Sequence, residues 1–254
     1  MISEEFLKEK AREAGVSMHT IEREYMQYIF ISRLYPAAGN LLAFKGGTCI
    51  RIFLDMKRFS EDLDFTSITG DDKKIIAVLE TTAKELGFLG IEARITGRKF
   101  YENSIKCSLK YGKPLYREIE IDVSKREKIG KEDLENRLLP SAYPDVANSV
   151  ITTLNDKNLL AEKFRAAVSR KEAKARDFYD IWHMLFNKHI PADFELIDRK
   201  ISKLHGKRFD LKEFFKNMES VKSSWKIDIF RLLPTSSKIE YSLIEKYLRG
   251  VLVG

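Results

Sequence analysis

The sequence has few of the features that mark secreted, membrane-spanning and zinc-binding proteins. Its 254 residues include two cysteines, Cys49 and Cys107, too few for a disulfide framework in a chain of this length, so we expect reduced thiols. No apolar run is long enough for a transmembrane helix. The charged start MISEEFLKEKAREAG lacks the apolar core of a signal peptide. We therefore expect a cytoplasmic protein with no membrane partner.

Several kinds of functional site also lack their usual residues. The four histidines have neither metal-ligand spacing nor a cysteine partner. Ser60 has no histidine nearby in the sequence, which argues against a hydrolase triad. The spacing G-x-x-x-x-G-K is absent, which excludes a P-loop. The chain does carry a net charge of +7, which is typical of a protein with a phosphate-bearing partner but also of any protein from a lysine-rich proteome.

The pattern of apolar residues predicts an α/β (α+β) protein in two parts. Residues 1–35 favour helices, and residues 71–87 form an amphipathic pattern that favours another helix. The segment LLAF is a short strand or a helix end, RFSEDLDFTS alternates as a strand does, and three more strands are predicted over 91–100, 103–112 and 117–127. We expect a mixed sheet flanked by helices over residues 1–150, followed by a helical C-terminal domain over 151–254.

A pair of aspartates is the first candidate site. In a strand, Ser60, Asp62 and Asp64 share one face, because side chains at i and i+2 point the same way. Two carboxylates this close repel each other unless a cation lies near them. Mg²⁺, or alternatively Mn²⁺, would bind their oxygens and keep water or substrate phosphates as its other ligands. The alternative is a solvated loop, where most D-x-D triplets occur.

A third acidic segment, REIEIDV, extends the pattern. Glu118, Glu120 and Asp122 alternate with apolar residues, as they also would on an ordinary half-exposed strand. If this strand lies beside the aspartate pair, one of its acids joins the site, with Asp122 preferred and Glu120 as the alternative. Three carboxylates can hold two metal ions, one to activate the attacking oxygen and one to clamp a triphosphate.

Gly46 and Gly47 stand between an apolar run and a helical pattern. Glycine allows a sharp turn and a close approach of a ligand to the backbone, and a helix N-terminus suits phosphate. The hydroxyl of Thr48 would add to such a site. A plain tight turn before a helix is the alternative interpretation.

These motifs together resemble a known family. KGGT followed by RFSEDLDF is similar to the AbiEii/AbiGii-type nucleotidyltransferase toxins of type IV toxin–antitoxin systems, whose fold is of the DNA polymerase β type. A second motif of that family is matched by AEKFRAAVSRKEAKARDFYDIW, residues 161–182, and the resemblance spans residues 21–182. The matching positions are Lys45, Gly46, Gly47, Thr48, Arg58, Ser60, Asp62, Asp64 and Phe65 in the first motif, and Lys163, Arg170, Arg176, Asp177 and Asp180 in the second.

The second motif also has a physical interpretation. On one continuous helix, Lys163, Arg170 and Asp177 would form a single stripe at i, i+7 and i+14. Lys163 would bind a triphosphate, or would be one more lysine on a solvated face. Asp177 would orient Lys163 or would cap a helix, with Asp180 at its third position. Residues 163–176 contain six basic residues against one acid, which suits contact with a nucleic-acid backbone.

The resemblance implies an enzyme that moves a nucleoside monophosphate from an NTP to an acceptor hydroxyl and acts as a toxin. It implies an RNA acceptor, with the 3′ end of tRNA as the first expectation, and an antitoxin encoded nearby that need not bind stably. The expected catalytic residues are Asp62, Asp64, Asp122, Lys163 and Asp177, and the expected nucleotide-binding residues are Lys45, Gly46, Gly47, Thr48, Arg58, Ser60, Lys163, Arg170 and Asp180. The alternatives are a nucleotidyltransferase that modifies a protein or a small molecule, and a non-catalytic RNA-binding protein.

Overall fold

The computed structural model describes residues 2–113, 117–140 and 142–253, apart from the side chains of residues 204 and 205. The chain divides into two compact units. Unit 1 comprises the described residues through Glu13 together with those of Ser17–Phe53 and Phe59–Leu154. Unit 2 comprises Ala14–Val16, Leu54–Arg58 and the described residues from Asn155 onward. The second unit is therefore assembled from three separate stretches of the sequence.

Unit 1 is a mixed sheet with helices. Its helices are α1 (Glu4–Ala14), α2 (Met18–Ala38), α3 (Gly46–Phe53) and α4 (Asp72–Glu85), with short 3₁₀ segments at Leu86–Leu89 and Lys131–Asp133. Its strands are β1 (Leu42–Lys45), β2 (Leu63–Ser67), β3 (Ala93–Tyr101), β4 (Ser104–Tyr111), β5 (Arg117–Ser124), β6 (Leu134–Leu138) and β7 (Val150–Leu154).

Within the described ranges the seven strands form one sheet in the order β3-β4-β5-β2-β1-β7-β6. The pairs β2–β5 and β1–β7 are parallel, and the other pairs are antiparallel. Alternation along β4 and β5 buries one set of side chains, Ile105, Cys107, Leu109, Ile119, Ile121 and Val123. Helix α4 packs against α2 and β3 and buries its own apolar stripe of Ile75, Ile76, Val78 and Leu79. The sheet therefore has an apolar face toward the core and a polar face opposite.

Unit 2 is helical. Its elements are α5 (Asp156–Ser169), α6 (Ala175–Trp182), a π-helical turn (His183–Asn187), α7 (Phe194–His205), α8 (Leu211–Ser220), α9 (Trp225–Phe230), a 3₁₀ turn (Thr235–Ser237) and α10 (Tyr241–Leu252). Asn155 caps α5 by accepting from the backbone N–H of Asn158, as its short polar side chain favours. Phe164, Phe178 and Phe214 are fully buried; Phe178 packs edge to ring against Phe214, and Phe164 packs against Phe214 in a tilted arrangement.

The predicted fold class is confirmed, and several element boundaries differ from the sequence-based expectation. The strand predicted from Arg58 begins at Leu63, so Ser60 and Asp62 precede it. Helix α3 already begins at Gly46, and the helix expected to end at Gly87 ends at Glu85 and continues as a 3₁₀ turn that closes on Gly90. Strands β6 and β7 were not predicted.

Both thiols lie inside unit 1. Cys49 and Cys107 are free and buried, and burial raises the pKa of Cys107 to about 12. The expectation of reduced thiols is consistent with this placement. Among the described residues, no helix combines the length and the apolar character needed to cross a membrane.

Candidate active site

The turn from β1 into α3 is the tightest feature of the polar face. Gly46 follows Lys45 without an intervening loop and has φ +78°, a conformation that only glycine adopts without cost. A Cβ built on Gly46 would lie 2.7 Å from Cγ of Asp64. The carboxylate of Asp64 therefore rests directly on the glycine backbone at the start of a helix.

A row of charged residues crosses five strands at this level. Lys45 on β1 is in register with Asp64 on β2, and Asp64 is in register with Asp122 on β5. Asp122 is in turn opposite Lys106 on β4, and Lys106 is opposite Lys99 on β3. Residues in register point to the same face of a sheet. The row therefore places two carboxylates side by side on the polar face, with a lysine on each flank.

The register distinguishes the two acids that the sequence left open on β5. Asp122 lies opposite Asp64, whereas Glu120 lies one pleat along the strand and opposite Ser108. Neighbouring strands are about 4.8 Å apart, so the Asp64 and Asp122 carboxylates can reach a common ligand. Lys106 holds the Asp122 carboxylate, with Nζ 3.3 Å from Oδ2, and both side chains are partly exposed.

Asp62 and Ser60 lie in the segment that leads into β2. The buried hydroxyl of Thr48 donates to the backbone carbonyl of Asp62 at 2.5 Å. The amide of Gln27 donates to the backbone carbonyl of Ser60 at 3.2 Å. Both bonds fix the backbone rather than the side chains. The segment is therefore held in place without being part of the strand.

The donor set on β2 and β5 suits a hard divalent cation. Asp64 and Asp122 supply carboxylate oxygens, which Mg²⁺ and Mn²⁺ prefer, and both are partly exposed, so water or phosphate can reach them. Among the described residues, no three acidic, histidine or cysteine side chains converge into a ready-made metal cage. The residues present thus fit a metal held by two carboxylates, with its remaining ligands supplied by substrate and water.

A second charged cluster lies in unit 2. Arg58 donates twice to Asp180, from Nε to Oδ1 and from Nη2 to Oδ2, each at 2.9 Å. Nζ of Lys163 lies 2.7 Å from Oδ2 of Asp180 and 3.2 Å from Oδ1 of Asp177. Nε of Arg170 lies 2.9 Å from Oδ2 of Asp177, an ion pair without hydrogen-bond geometry. The five groups form one continuous network.

The network is deeply buried on its acidic side. Asp177 and Asp180 are fully buried, whereas Arg170 keeps 40% of its side chain exposed. Burial alone would raise the pKa of Asp180, but the charges of Arg58 and Lys163 outweigh it and hold that pKa below its ordinary value. Three cations against two carboxylates leave the cluster with one net positive charge. That charge is available on its exposed side, where Arg170 lies.

The second motif does not form one continuous helix, as the stripe prediction assumed. Helix α5 ends at Ser169 and α6 begins at Ala175, so Lys163 and Asp177 meet across a break. Asp177 is not the helix cap either: Lys174 occupies that position, Asp177 is the third residue of α6, and Asp180 follows one turn later. Two of the six basic residues, Lys163 and Arg165, are buried in ion pairs. The nucleic-acid contact expected from the sequence could therefore involve only the other four.

Sequence reasoning missed two groups beside these clusters. Lys106 and Lys99 complete the charged row, and the alternation of NSIKCSLKYG was the signal that could have placed Lys106 on the acidic face. His183 in unit 2 is buried, with Nε2 2.9 Å from the carbonyl oxygen of Leu54. Burial lowers the pKa of His183. No sequence pattern indicates a bond between residues 129 positions apart.

Comparison with known proteins identifies a family and a shared fold. The model of the nucleotidyl transferase AbiEii toxin family, type IV toxin–antitoxin system, matches residues 30–240. MenT4, a nucleotidyltransferase toxin from Mycobacterium tuberculosis H37Rv, has 20% identity and a TM-score of 0.69 over 98% of this chain and 88% of its own. JHP933 from Helicobacter pylori has 17% identity and a TM-score of 0.58 over 94% of this chain and 97% of its own. No curated protein matches the chain in sequence.

The family match over residues 30–240, together with the mixed sheet and its flanking helices, makes the chain a nucleotidyltransferase. The protein is an enzyme of that class. More narrowly, the chain belongs to the AbiEii family of nucleotidyltransferase toxins of type IV toxin–antitoxin systems. The two solved structures are distant in sequence and show a shared fold.

Proposed function

We propose that this protein transfers a nucleoside monophosphate from an NTP to a hydroxyl of RNA, in a reaction that depends on Mg²⁺. The observation that carries the proposal is the register of Asp64 with Asp122 on adjacent parallel strands, with Asp64 against Gly46. A divalent cation there would neutralise the phosphates and activate the attacking oxygen. The tRNA 3′ end is the acceptor we expect first, in the cytoplasm, with an antitoxin that need not bind stably.

The candidate site residues of unit 1 have different roles in this proposal. Asp64 and Asp122 would hold the cation. Asp62, two residues before Asp64 in the chain, is the third carboxylate expected from the sequence, and among the described residues it does not converge with the other two into a three-ligand group. The N–H groups of Gly46 and Gly47 open α3 and suit a phosphate oxygen, while Lys45 balances the row. Thr48, whose hydroxyl is buried on the Asp62 carbonyl, acts in this proposal by positioning that segment rather than by touching phosphate. Ser60 is placed in the same way through its backbone.

In unit 2 the cationic cluster is a phosphate-binding group. A lysine ammonium has three N–H donors, and Asp177 and Asp180 take two of those of Lys163, which leaves one for a phosphate oxygen. Arg170 adds an exposed guanidinium. Arg58 and Asp180 are positioning residues, because their bidentate pair is buried and fixes where Lys163 stands.

The test is incubation with each α-labelled NTP, total RNA and either Mg²⁺ or Mn²⁺. We expect label in RNA with the wild-type protein and a loss of about 100-fold or more in Asp64→Asn. Glu118→Gln is the matched control, because it removes an exposed acid from the same strand as Asp122 but lies two pleats away. Asp122→Asn and Glu120→Gln, compared in the same assay, decide which β5 acid serves the metal, and we expect the loss in Asp122→Asn.

The partition of the label separates the alternatives. If the label appears in protein or in a small molecule instead of RNA, the proposed acceptor is wrong and the proposed nucleotidyl transfer stands. RNA binding without any label transfer, with every NTP and both metals, would make the chain a non-catalytic RNA-binding protein and overturn the proposal. Melting temperatures of each variant within a few degrees of the wild type would exclude unfolding as the cause.

A further inference from the structure

Charge is sorted by strand on the polar face of the sheet. The acids lie on β5 and β2, namely Glu118, Glu120, Asp122 and Asp64, whereas the basic residues lie on β4 and β3, and Lys45 lies on β1 at the other side of the acids. We call the four basic residues Arg94, Lys99, Lys106 and Lys110 the β3–β4 strip. In register, Lys99 is opposite Lys106 and Arg94 is opposite Lys110, and both pairs share the face of Asp122. The strip therefore begins beside the candidate metal ligands and runs away from them.

Two of these cross-strand pairs join like charges. Like charges directly opposite each other cost stability, while opposite charges gain it. The β4 lysines have acids on their other side, Asp122 at 3.3 Å and Glu118 at 3.9 Å. Arg94 and Lys99, one strand further out, form no ion pair with any residue in the described ranges, and both are exposed. The outer half of the strip is thus an uncompensated positive surface.

The face is open where the strip lies and closed behind the carboxylates. Thr66, Ser124 and Ser104, one pleat from the charged row in one direction, are buried. From the charged row in the other direction, toward Arg94 and Lys110, the surface is accessible. Tyr101, two residues from Lys99 and on the same face, is opposite Ser104 and so lies toward the buried side of the row, but at the sheet edge it keeps 51% of its surface exposed. An open sheet with cations and one exposed ring has the elements that single-stranded nucleic acid contacts, phosphate on cation and base on ring.

Edge lysines have a simpler function, because they discourage pairing between sheets of different molecules. That function explains a charged β3, which is an edge strand. It does not explain why the cations face cations on β4 rather than the acids that a stable sheet prefers. A polyanion lying over the strip would resolve that repulsion.

We propose that the β3–β4 strip binds the sugar–phosphate backbone of a single-stranded RNA acceptor and leads its terminal hydroxyl to Asp64 and Asp122. The proposal rests on the proposed function, in that the acceptor is RNA. Lys99 lies two strand intervals from Asp122, about 10 Å, so phosphates upstream of the end contact the strip while the end reaches the carboxylates. Tyr101 stacks on a base at the edge of the sheet.

The test measures RNA binding apart from catalysis. Anisotropy of a fluorescein-labelled single-stranded RNA of about 12 nucleotides is titrated with the full-length protein at several salt concentrations. We expect Arg94→Ala/Lys99→Ala to weaken binding and to flatten the slope of log affinity against log salt by about 1.4, since each phosphate contact contributes about 0.7 for a single strand. Tyr101→Ala should weaken binding about fivefold or more without changing the slope.

The matched control is Lys73→Ala/Lys84→Ala. It removes the same charge from exposed positions on α4, a helix that does not contribute to the polar face. We expect its affinity and slope to equal those of the wild type. An equal loss of RNA affinity in both double variants would show that only net charge matters, and it would overturn the proposal for the strip.

The remaining outcomes decide between this inference and the proposed function. If Arg94→Ala/Lys99→Ala binds RNA with the affinity and the salt slope of the wild type, the proposal for the β3–β4 strip is overturned. If that variant aggregates while its RNA binding is intact, the two cations protect the sheet edge instead. Failure of the wild type to bind the RNA also overturns it. If the wild type labels RNA and the double variant binds and labels equally well, the strip fails while the function stands. If RNA binds through the strip but never receives label, the function fails while the strip stands.

Discussion

Gly46 shows how one missing side chain shapes the candidate site. Its backbone carries two constraints at once, a positive φ and the carboxyl group of Asp64, which lies closer to any added Cβ than van der Waals contact allows. Gly90 shares the first constraint, with φ +72°, but has open space around its Cα. The two glycines therefore separate backbone strain from displacement of Asp64.

We expect Gly90→Ala to lose about 1–2 kcal/mol of stability, because a left-handed conformation costs that much for alanine. Gly46→Ala should lose more, because its Cβ would also lie 2.7 Å from Cβ and Cγ of Asp64. Only Gly46→Ala should also lose activity, by about 100-fold, as expected when a catalytic group is moved by an ångström. Chemical denaturation and the labelled-NTP assay measure the two effects. Equal activity in both variants would show that the Asp64 contact is unimportant.

In the proposed metal site, Lys106 would compete with the cation for the carboxylate of Asp122. The ion pair is partly exposed, and such pairs are worth about 0.2–1 kcal/mol. We expect Lys106→Met to bind Mg²⁺ or Mn²⁺ up to about fivefold more tightly, because the lysine no longer repels the cation or holds the carboxylate. Calorimetric titration of metal, without substrate, measures it. Lys110→Met, which releases Glu118 instead, should leave the metal affinity unchanged, and a weaker affinity in Lys106→Met would contradict the competition.

At the scale of elements, α5 and α6 are joined by charge across a break. Asp180 has Arg58 and Lys163 as partners and no solvent contact. Removing one member of a buried pair costs about 3–5 kcal/mol, because the other charges stay buried without a partner. We expect Asp180→Asn to lose about that much stability in urea denaturation. Glu213→Gln, which breaks the partly exposed pair with Lys207, should change stability by less than about 0.5 kcal/mol.

The same carboxylate gives a pH dependence. The pKa of Asp180 in the folded chain lies below its ordinary value of 3.8, so the unfolded chain takes up the proton first as the pH falls. The contribution of Asp180 is therefore complete above that ordinary value and is lost as the pH falls through the folded pKa. We expect the stability difference between wild type and Asp180→Asn to shrink in acid. A difference that is constant from pH 7 to the acid transition would contradict this.

Elements differed in how far the sequence could predict them. The alternation of acids in REIEIDV predicts β5 and its polar face without knowledge of the neighbouring strands. The sequence did not predict that this strand lies beside β2. Strands β6 and β7 were not predicted, because LENRL and VITTL are only five residues each and their apolar and polar residues do not alternate clearly. Their pairing comes from the sheet around them, and register is a tertiary property.

The charges of the second motif show the other limit. Lys163 and Asp177 were expected to lie together, and they do, but across two helices rather than along one. Arg58 and Asp180 were expected at a nucleotide, and the structure buries them against each other although 122 residues separate them. A sequence pattern indicates that such residues carry charge together. It does not indicate which partners remove them from solvent.

At the scale of the whole molecule, the two units are not two consecutive pieces of chain. Leu54–Arg58 belongs to unit 2, where Arg58 meets Asp180 and the carbonyl of Leu54 meets His183. We expect a fragment of residues 155–253 to lack a cooperative thermal transition, because it contains Asp180 and His183 without those partners. Near-ultraviolet circular dichroism against the full chain measures it. A fragment that melts cooperatively within a few degrees of the full chain would contradict this.

The burial of both thiols has a practical consequence. Maleimide dyes react with accessible thiolates. Cys49 and Cys107 are both buried, and the raised pKa of Cys107 also keeps its thiol protonated near neutral pH. Lys84 and Lys246 are exposed in unit 1 and unit 2, respectively. Cysteines introduced at these two positions would therefore take up one fluorophore each, and the native cysteines would not have to be replaced first. Energy transfer between the two fluorophores would then report, molecule by molecule, whether nucleotide changes the separation of the two units.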